Sequence, residues 1–141
     1  HSAILKAFDF SGNEMSSFFL SNKNWDRGEE VPLMDMGFDD SSSKRTMDKT
    51  KIDDVIGKDG ELKMVYVYDF MKMWCFFVDL VEVSEDKNIK SDDLPYVDLK
   101  YGTPPDENSR EMDPLKGMGT GGSQEENNGD LGDEIDDMFK N

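Results

Sequence analysis

Leu62-Lys63-Met64-Val65-Tyr66-Val67-Tyr68-Asp69-Phe70 is followed by Met71-Lys72-Met73 and then by Trp74-Cys75-Phe76-Phe77-Val78-Asp79-Leu80-Val81-Glu82-Val83. In the first run Leu62, Met64, Tyr66, Tyr68 and Phe70 alternate with Lys63, Val65, Val67 and Asp69, the period of a strand. In the second, Trp74, Phe76, Val78 and Leu80 share one face, while Cys75, Phe77, Val81 and Val83 share the other, interrupted by Asp79. Two such runs joined by three residues form an antiparallel hairpin, about 62–70 and 74–83. Because the second strand is apolar on both faces, it is expected to be central in its sheet and covered on both sides.

Upstream, Asp59-Gly60 reads as a turn, and Gly57 as the stop of a short helix over 50–56. Thr50 is its expected N-cap, Asp53 the acidic partner three residues on, and Ile52, Val55 and Ile56 its apolar stripe. From about Lys23 to Lys49 neither period holds. Trp25, Val31, Leu33, Met34, Met36 and Phe38 punctuate this stretch, which is expected to be irregular but packed along the core. Met15 to Asn22, with Phe18 and Leu20 at alternate positions, predicts a strand with one buried face. Ile4, Ala7 and Phe8 form a helical stripe over residues 2–8, with Gly12 close behind as a stop. This helix has no convincing cap residue and reads as the last turns of one whose beginning is absent.

Downstream the chain turns polar at Ser84. Leu94-Pro95-Tyr96-Val97-Asp98-Leu99 offers one more short extended piece. Beyond Tyr101 the composition becomes acidic and Gly-rich, with Gly117 to Ser123 as a flexible link and Asp133-Glu134-Ile135-Asp136-Asp137-Met138-Phe139 near the end. Such a segment buries too little apolar area to offset chain entropy. The expected organisation is therefore one α+β domain over 1–101 and a flexible acidic tail over 102–141. The domain is an antiparallel sheet, built round the hairpin and packed with two helices.

The bulk composition narrows the function. Of 141 residues, 35% are apolar and 34% charged, and the net charge is −16. So negative a surface repels phosphate and anionic lipid, which argues against direct nucleic-acid binding and against membranes. The densest basic cluster, Lys44-Arg45 with Lys49 and Lys51, is ringed by Asp39, Asp40, Asp48, Asp53 and Asp54 and reads as a solvated loop. Cys75 is the only cysteine, which excludes an intrachain disulfide and a multi-thiolate zinc site and fits a cytoplasmic protein. No apolar run approaches the ~18 residues of a membrane span. His1, the only histidine, stands at the first position, so the chain reads as starting inside a longer protein or after processing.

Tyr66-Val67-Tyr68-Asp69-Phe70, three residues, then Trp74 resembles the signature of the plasmid pRiA4b ORF-3-like family. That signature runs roughly Tyr-x-Tyr-Asp-Phe-Gly-Asp-x-Trp-x-His before an alternating apolar strand. Ala3-Ile4 with Ala7-Phe8, Phe10 and Phe18 is similar to the family's early helix and next strand. Pro104-Pro105-Asp106 is similar to its Pro-Pro-Glu-Asp element, so the likeness spans about residues 1–106. It implies an α+β fold with an antiparallel sheet, a first strand preceding His1, and no established activity; some relatives lie beside mobile elements. The chain departs from the signature at Met71 for Gly, Lys72 for the second Asp and Phe76 for His. A polar site built from that Asp and His is absent here.

Candidate chemistry is sparse. Asp69 and Asp79 are the carboxylates to consider for acid–base work, which needs a shared pocket and shifted pKa values; otherwise Asp69 stabilises a turn and Asp79 reaches solvent. Asp133, Glu134, Asp136 and Asp137 offer oxygen ligands for a hard cation but lack EF-hand spacing, so no metal site is assigned. Gly119, Gly121 and Gly122 precede no element that would make a phosphate loop. Tyr66, Tyr68 and Trp74 could line an exposed groove for a protein partner, against the plainer reading that they are core. Asp69 and Phe70 are read as structural. The sequence thus favours a non-catalytic protein-interaction module with no cofactor and an unknown protein partner. The alternatives are an accessory factor of mobile-element or nucleic-acid transactions acting through proteins, and an enzyme with a carboxylate site near Asp69.

Overall fold

A computed structural model describes residues 1–37 and 45–111. One α-helix, α1 (Ser2–Phe8), is followed by strands β1 (Ser16–Ser21), β2 (Arg27–Pro32), β3 (Lys63–Tyr68) and β4 (Trp74–Asp79). All pairings are antiparallel and the spatial order is β2-β1-β3-β4. The sheet is therefore two hairpins joined side by side through β1 and β3.

The hairpin over β3 and β4 forms in the register that its alternation demands, with Tyr66 opposite Phe76 and Tyr68 opposite Trp74. The expectation that the second strand is central fails. β3 holds the centre between β1 and β4, and β4 is an edge among the described residues. Burial follows position rather than hydropathy: β3 is buried from Met64 onward, whereas Cys75 and Asp79 of β4 are exposed.

β2 lies inside the stretch expected to be irregular. Arg27-Gly28-Glu29-Glu30-Val31-Pro32 has neither alternation nor β-formers because it is an edge strand carrying charge and proline. Its register with β1 slips between Phe19 and Ser21. At that bulge Gly28 backs onto the sheet so closely that a Cβ would come within 2.9 Å of the Leu20 carbonyl oxygen. Only Val31 of the strand is buried, while Met34 and Met36 beyond it are exposed; Phe38 lies outside the described residues.

The helix expected over 50–56 is instead two 3-10 turns, Met47–Lys49 and Ile52–Asp54. Thr50 does not cap it. Thr50 closes the first turn in extended conformation, and the second opens with the Lys51 N–H donating to Asp54 Oδ2 at 2.9 Å. Ile52, Val55 and Ile56 are β-branched and the segment is short, so local propensity cannot carry a helix. Nor does its stripe dock, since Ile52 is 64% exposed. The turn at Asp59-Gly60 forms, with Gly60 at φ 78 and the Glu61 N–H donating to Asp59 Oδ1.

The core lies between α1 and one sheet face. Leu5, Phe10, Tyr66 and Tyr68 form its buried centre, with Ile4, Phe18, Met47, Trp74, Phe76 and Val78 packed round them. α1 ends at Asp9, whose left-handed backbone (φ 57) directs its N–H back to the Leu5 carbonyl. That reversal delivers Phe10 into the core, 5.6 Å from Tyr68 and 5.3 Å from Trp74 between ring centroids. On the opposite face Val65 and Val67 are buried, Trp25 meets the edge of Phe77, and the Arg27 guanidinium lies over Phe19. Leu94 to Leu99 forms no strand, and its apolar side chains stay exposed or nearly so. No helix among the described residues is long and apolar enough to cross a membrane.

Candidate functional site

Tyr66 and Tyr68 do not line an exposed groove. Both have no exposed surface, because α1 and the loop after it cover the sheet face from which they project. Only Trp74 of the three is partly open. The Tyr66 hydroxyl is 2.8 Å from His1 Nδ1, and Ser16 Oγ is 3.3 Å from the same nitrogen. Burial pushes the Tyr66 phenol above its ordinary pKa. These aromatics are core residues whose polar tips are satisfied internally.

The Tyr68 hydroxyl meets a segment that sequence reasoning assigned to the tail. Glu107 Oε1 accepts from Tyr68 Oη at 2.6 Å and from Ser11 Oγ at 2.8 Å, while Oε2 accepts from the Ser11 N–H at 2.8 Å. Trp74 Nε1 donates to the Glu107 carbonyl at 3.1 Å. Arg110 lies over the Trp74 ring, 4.7 Å from its centroid, and donates to the carbonyls of Lys72 (3.2 Å) and Met73 (2.5 Å). Lys72 Nζ donates to Asn108 Oδ1. Residues 106–110 are thus a clasp on the domain. Partial burial works to raise the Glu107 carboxyl, but the Tyr68 and Ser11 hydrogen bonds and the Lys72 charge outweigh it and hold the group below its usual range. Tyr68 is pushed up by burial and by its bond to Glu107.

Asp69 and Asp79 do not form a pair. Asp69 is at the turn end of the hairpin and Asp79 at the far end, five residues along β4, roughly 17 Å at strand rise. Asp69 is buried, at φ 57, and its Oδ1 accepts from the N–H groups of Met71 (3.0 Å) and Lys72 (3.1 Å). Its neighbour Phe70 is 41% exposed. Asp79 takes an ion pair from Lys63 at 2.7 Å. Of the basic cluster, Arg45 is paired with Glu29 and donates to the Asp54 carbonyl, and Lys44 lies outside the described residues. So do Asp133, Glu134, Asp136, Asp137 and the glycines from 117 to 122. No group of three or more metal-ligating side chains occurs among the described residues.

Among the described residues, the outer edge of β4 pairs with no other strand. The Leu80 N–H donates to the Leu62 carbonyl and the Asp69 N–H to the Met15 carbonyl. In an antiparallel ladder these directions alternate. The even-numbered residues of β4 therefore face β3, and the N–H groups of Cys75, Phe77 and Asp79 point away from it. The chain continues as Leu80-Val81-Glu82-Val83 past the point where β3 can pair it, since β3 is preceded by the Gly60 turn. Val81 is 94% and Val83 67% exposed. The alternation that ran on to Val83 was the signal for this overhang; the polar composition around Glu107 and Arg110 gave none for the clasp.

The sequence profile of the plasmid pRiA4b ORF-3-like family matches residues 1–111. No curated protein and no solved structure matches the chain.

Proposed function

Because the chain belongs to the plasmid pRiA4b ORF-3-like family, for which the fold alone names no chemistry, we propose that it is a non-catalytic protein-interaction module working through the outer edge of β4 and the exposed Val81 and Val83 beyond it, an edge that pairs with no other strand among the described residues. The observation that carries this reading is the contrast between the two sheet edges. β2 is blunted by a bulge, by Arg27, Glu29 and Glu30, and by Pro32, the devices that stop strands from pairing with strangers. β4 has none of these along Cys75-Phe76-Phe77-Val78, and it leads directly into exposed Val81 and Val83. An extended segment added there would gain main-chain hydrogen bonds and cover those two valines.

The test is affinity capture from the native host with the tagged chain, compared with a Val81→Pro variant. Proline at 81 removes an outward N–H and leaves the ladder to β3 intact. Its side chain replaces one that touches little, so the fold is retained. Binding partners, whether other proteins or untagged copies, are expected with the parent chain and lost with the variant. The same captured set from both would rule the edge out.

A further inference from the structure

We infer that the domain carries a peptide-binding site for a turn of sequence Asp-Glu-x-x-Arg in a partner protein, and that residues 106–110 are the chain's own tethered occupant of that site. The inference is independent of the β4 edge. Every residue from Val81 to Asp106 is exposed, and Glu107 is the first after Leu80 that is not. The chain thus leaves the domain at the end of β4 and returns at Glu107 in the manner of a separate ligand. What it meets there is polar. The Glu107 carboxylate takes the Ser11 N–H, the Ser11 hydroxyl and the Tyr68 hydroxyl, and the Glu107 carbonyl takes the Trp74 indole N–H. Three residues on, the Arg110 guanidinium covers the Trp74 ring and donates to the Lys72 and Met73 carbonyls. The Asn108 contact with Lys72 Nζ is exposed and is left out of the motif. One side chain of each sign and one main-chain carbonyl are therefore read at a fixed spacing, which distinguishes one short segment from others.

The receiving groups are held without the occupant's help. Phe10 is buried and anchors the chain entering Ser11, and Tyr68 Oη accepts from the Gly12 N–H at 3.1 Å. Asp69 orders the turn that presents the Lys72 and Met73 carbonyls. Trp74 stands against Phe10. Such a site persists when its occupant leaves, and a pre-organised site loses little affinity to ordering. The occupant also shapes itself. Asp106 Oδ1 accepts from the Asn108 N–H at 2.7 Å, and the Asp106 carbonyl from the Ser109 N–H at 3.0 Å. That turn travels with the Asp-Glu-x-x-Arg sequence, so another protein can present it. Phe70 and Met71, in and beside the receiving turn, remain exposed with the clasp in place. A partner that covers them gains apolar contact that the tethered segment lacks. A second copy gains none, because it offers the same segment against a tether that supplies its own at roughly millimolar effective concentration.

The probe is a dye-labelled peptide, Gly-Asp-Glu-Ala-Ala-Arg-Gly with blocked ends, titrated against the full chain by fluorescence anisotropy. The parent chain, whose site is filled, is expected to bind it at least about tenfold more weakly than a Glu107→Ala, Arg110→Ala double variant, whose site is open. Replacing the glutamate or the arginine of the probe by glutamine should weaken binding to the open variant roughly tenfold, since each change removes a charged hydrogen-bonding partner. Ser11→Ala in the open variant should weaken the original probe as well. The parent chain gives a second reading that does not depend on the double variant folding. With probe in tenfold excess over the roughly millimolar tether, the Asn108 and Ser109 amides should exchange faster while the Ser11 amide stays protected, because one carboxylate has replaced another. Equal affinity for the two chains would overturn the inference. So would a folded open variant that binds no probe, glutamine probes that bind as well as the original, or parent amides unmoved by that excess. A parent chain that dimerises, and loses the dimer in the double variant, would overturn the partner protein and assign the site to a second copy.

Discussion

Asp69 occupies a backbone conformation that disfavours most side chains, at φ 57, and Met73 closes the same turn at φ 54. The Met73 N–H reaches back to the Asp69 carbonyl, so the turn is one tight loop without glycine. Its order comes from Asp69 Oδ1, which takes the N–H groups of Met71 and Lys72. Asp69→Ala leaves those donors without a partner and is expected to cost about 1–3 kcal/mol in chemical denaturation. Asp69→Asn keeps one acceptor oxygen and tolerates positive φ better, so its loss should be smaller. Equal stability of both variants and the parent would remove the structural role. Trp74 is tied to the core through Phe10 and to the clasp through Glu107 and Arg110. Trp74→Ala should cost ~3 kcal/mol, the lower end for truncating a buried aromatic, because the ring is only partly covered. It should also raise hydrogen exchange at Asn108 and Ser109; a destabilised variant with an undisturbed clasp would contradict the coupling.

At the scale of elements, the clasp and the two sheet edges have different sequence visibility. β3 and β4 were legible because half-buried strands write their period into hydropathy. β2 was not, since an edge strand on the solvent side has charge, glycine and proline where a central strand has valine. The 50–56 segment misled in the opposite direction: the Thr50–Asp53 spacing mimics a cap, but nothing in the fold receives the stripe. The clasp was invisible because it is held by polar groups, the Glu107 carboxylate and carbonyl, the Asn108 amide and the Arg110 guanidinium, rather than by apolar side chains. That chemistry gives it a pH dependence. Glu107 has a lowered folded pKa, so its contribution to stability is fully present above the ordinary carboxylate pKa and is lost as pH falls through the lowered value. Glu107→Gln is expected to lower stability near neutrality by up to ~1 kcal/mol and to flatten the acid limb of the stability–pH profile. An acid limb identical to the parent's would place the dependence elsewhere.

For the whole molecule, the sheet, the early helix and the family were readable from residues 1–106, but the position of strands within the sheet was not. Hydropathy reports that Val81 and Val83 want cover; it does not say whether this chain or another provides it. That ambiguity turned β4 into a central strand on paper and makes it the candidate interface in the fold. The clasp also makes a prediction about truncation. Truncation after residue 111 should leave the melting temperature within a few degrees. Truncation after residue 105 removes the partners of Trp74 Nε1 and Ser11 and should lower it, by about 4–8 °C for each kcal/mol lost. Equal melting temperatures for the two truncations would show that the clasp contributes no stability. Residue-resolved amide hydrogen exchange reads most directly whether the edge of β4 is where another chain binds. In dilute, unbound protein the N–H groups of Cys75 and Asp79 should exchange fast while those of Phe76 and Val78 are protected. In the bound state, reached with a captured partner, the amides of Cys75, Asp79 and Val81 should become protected. If they exchange equally fast in both states, β4 is not the interface.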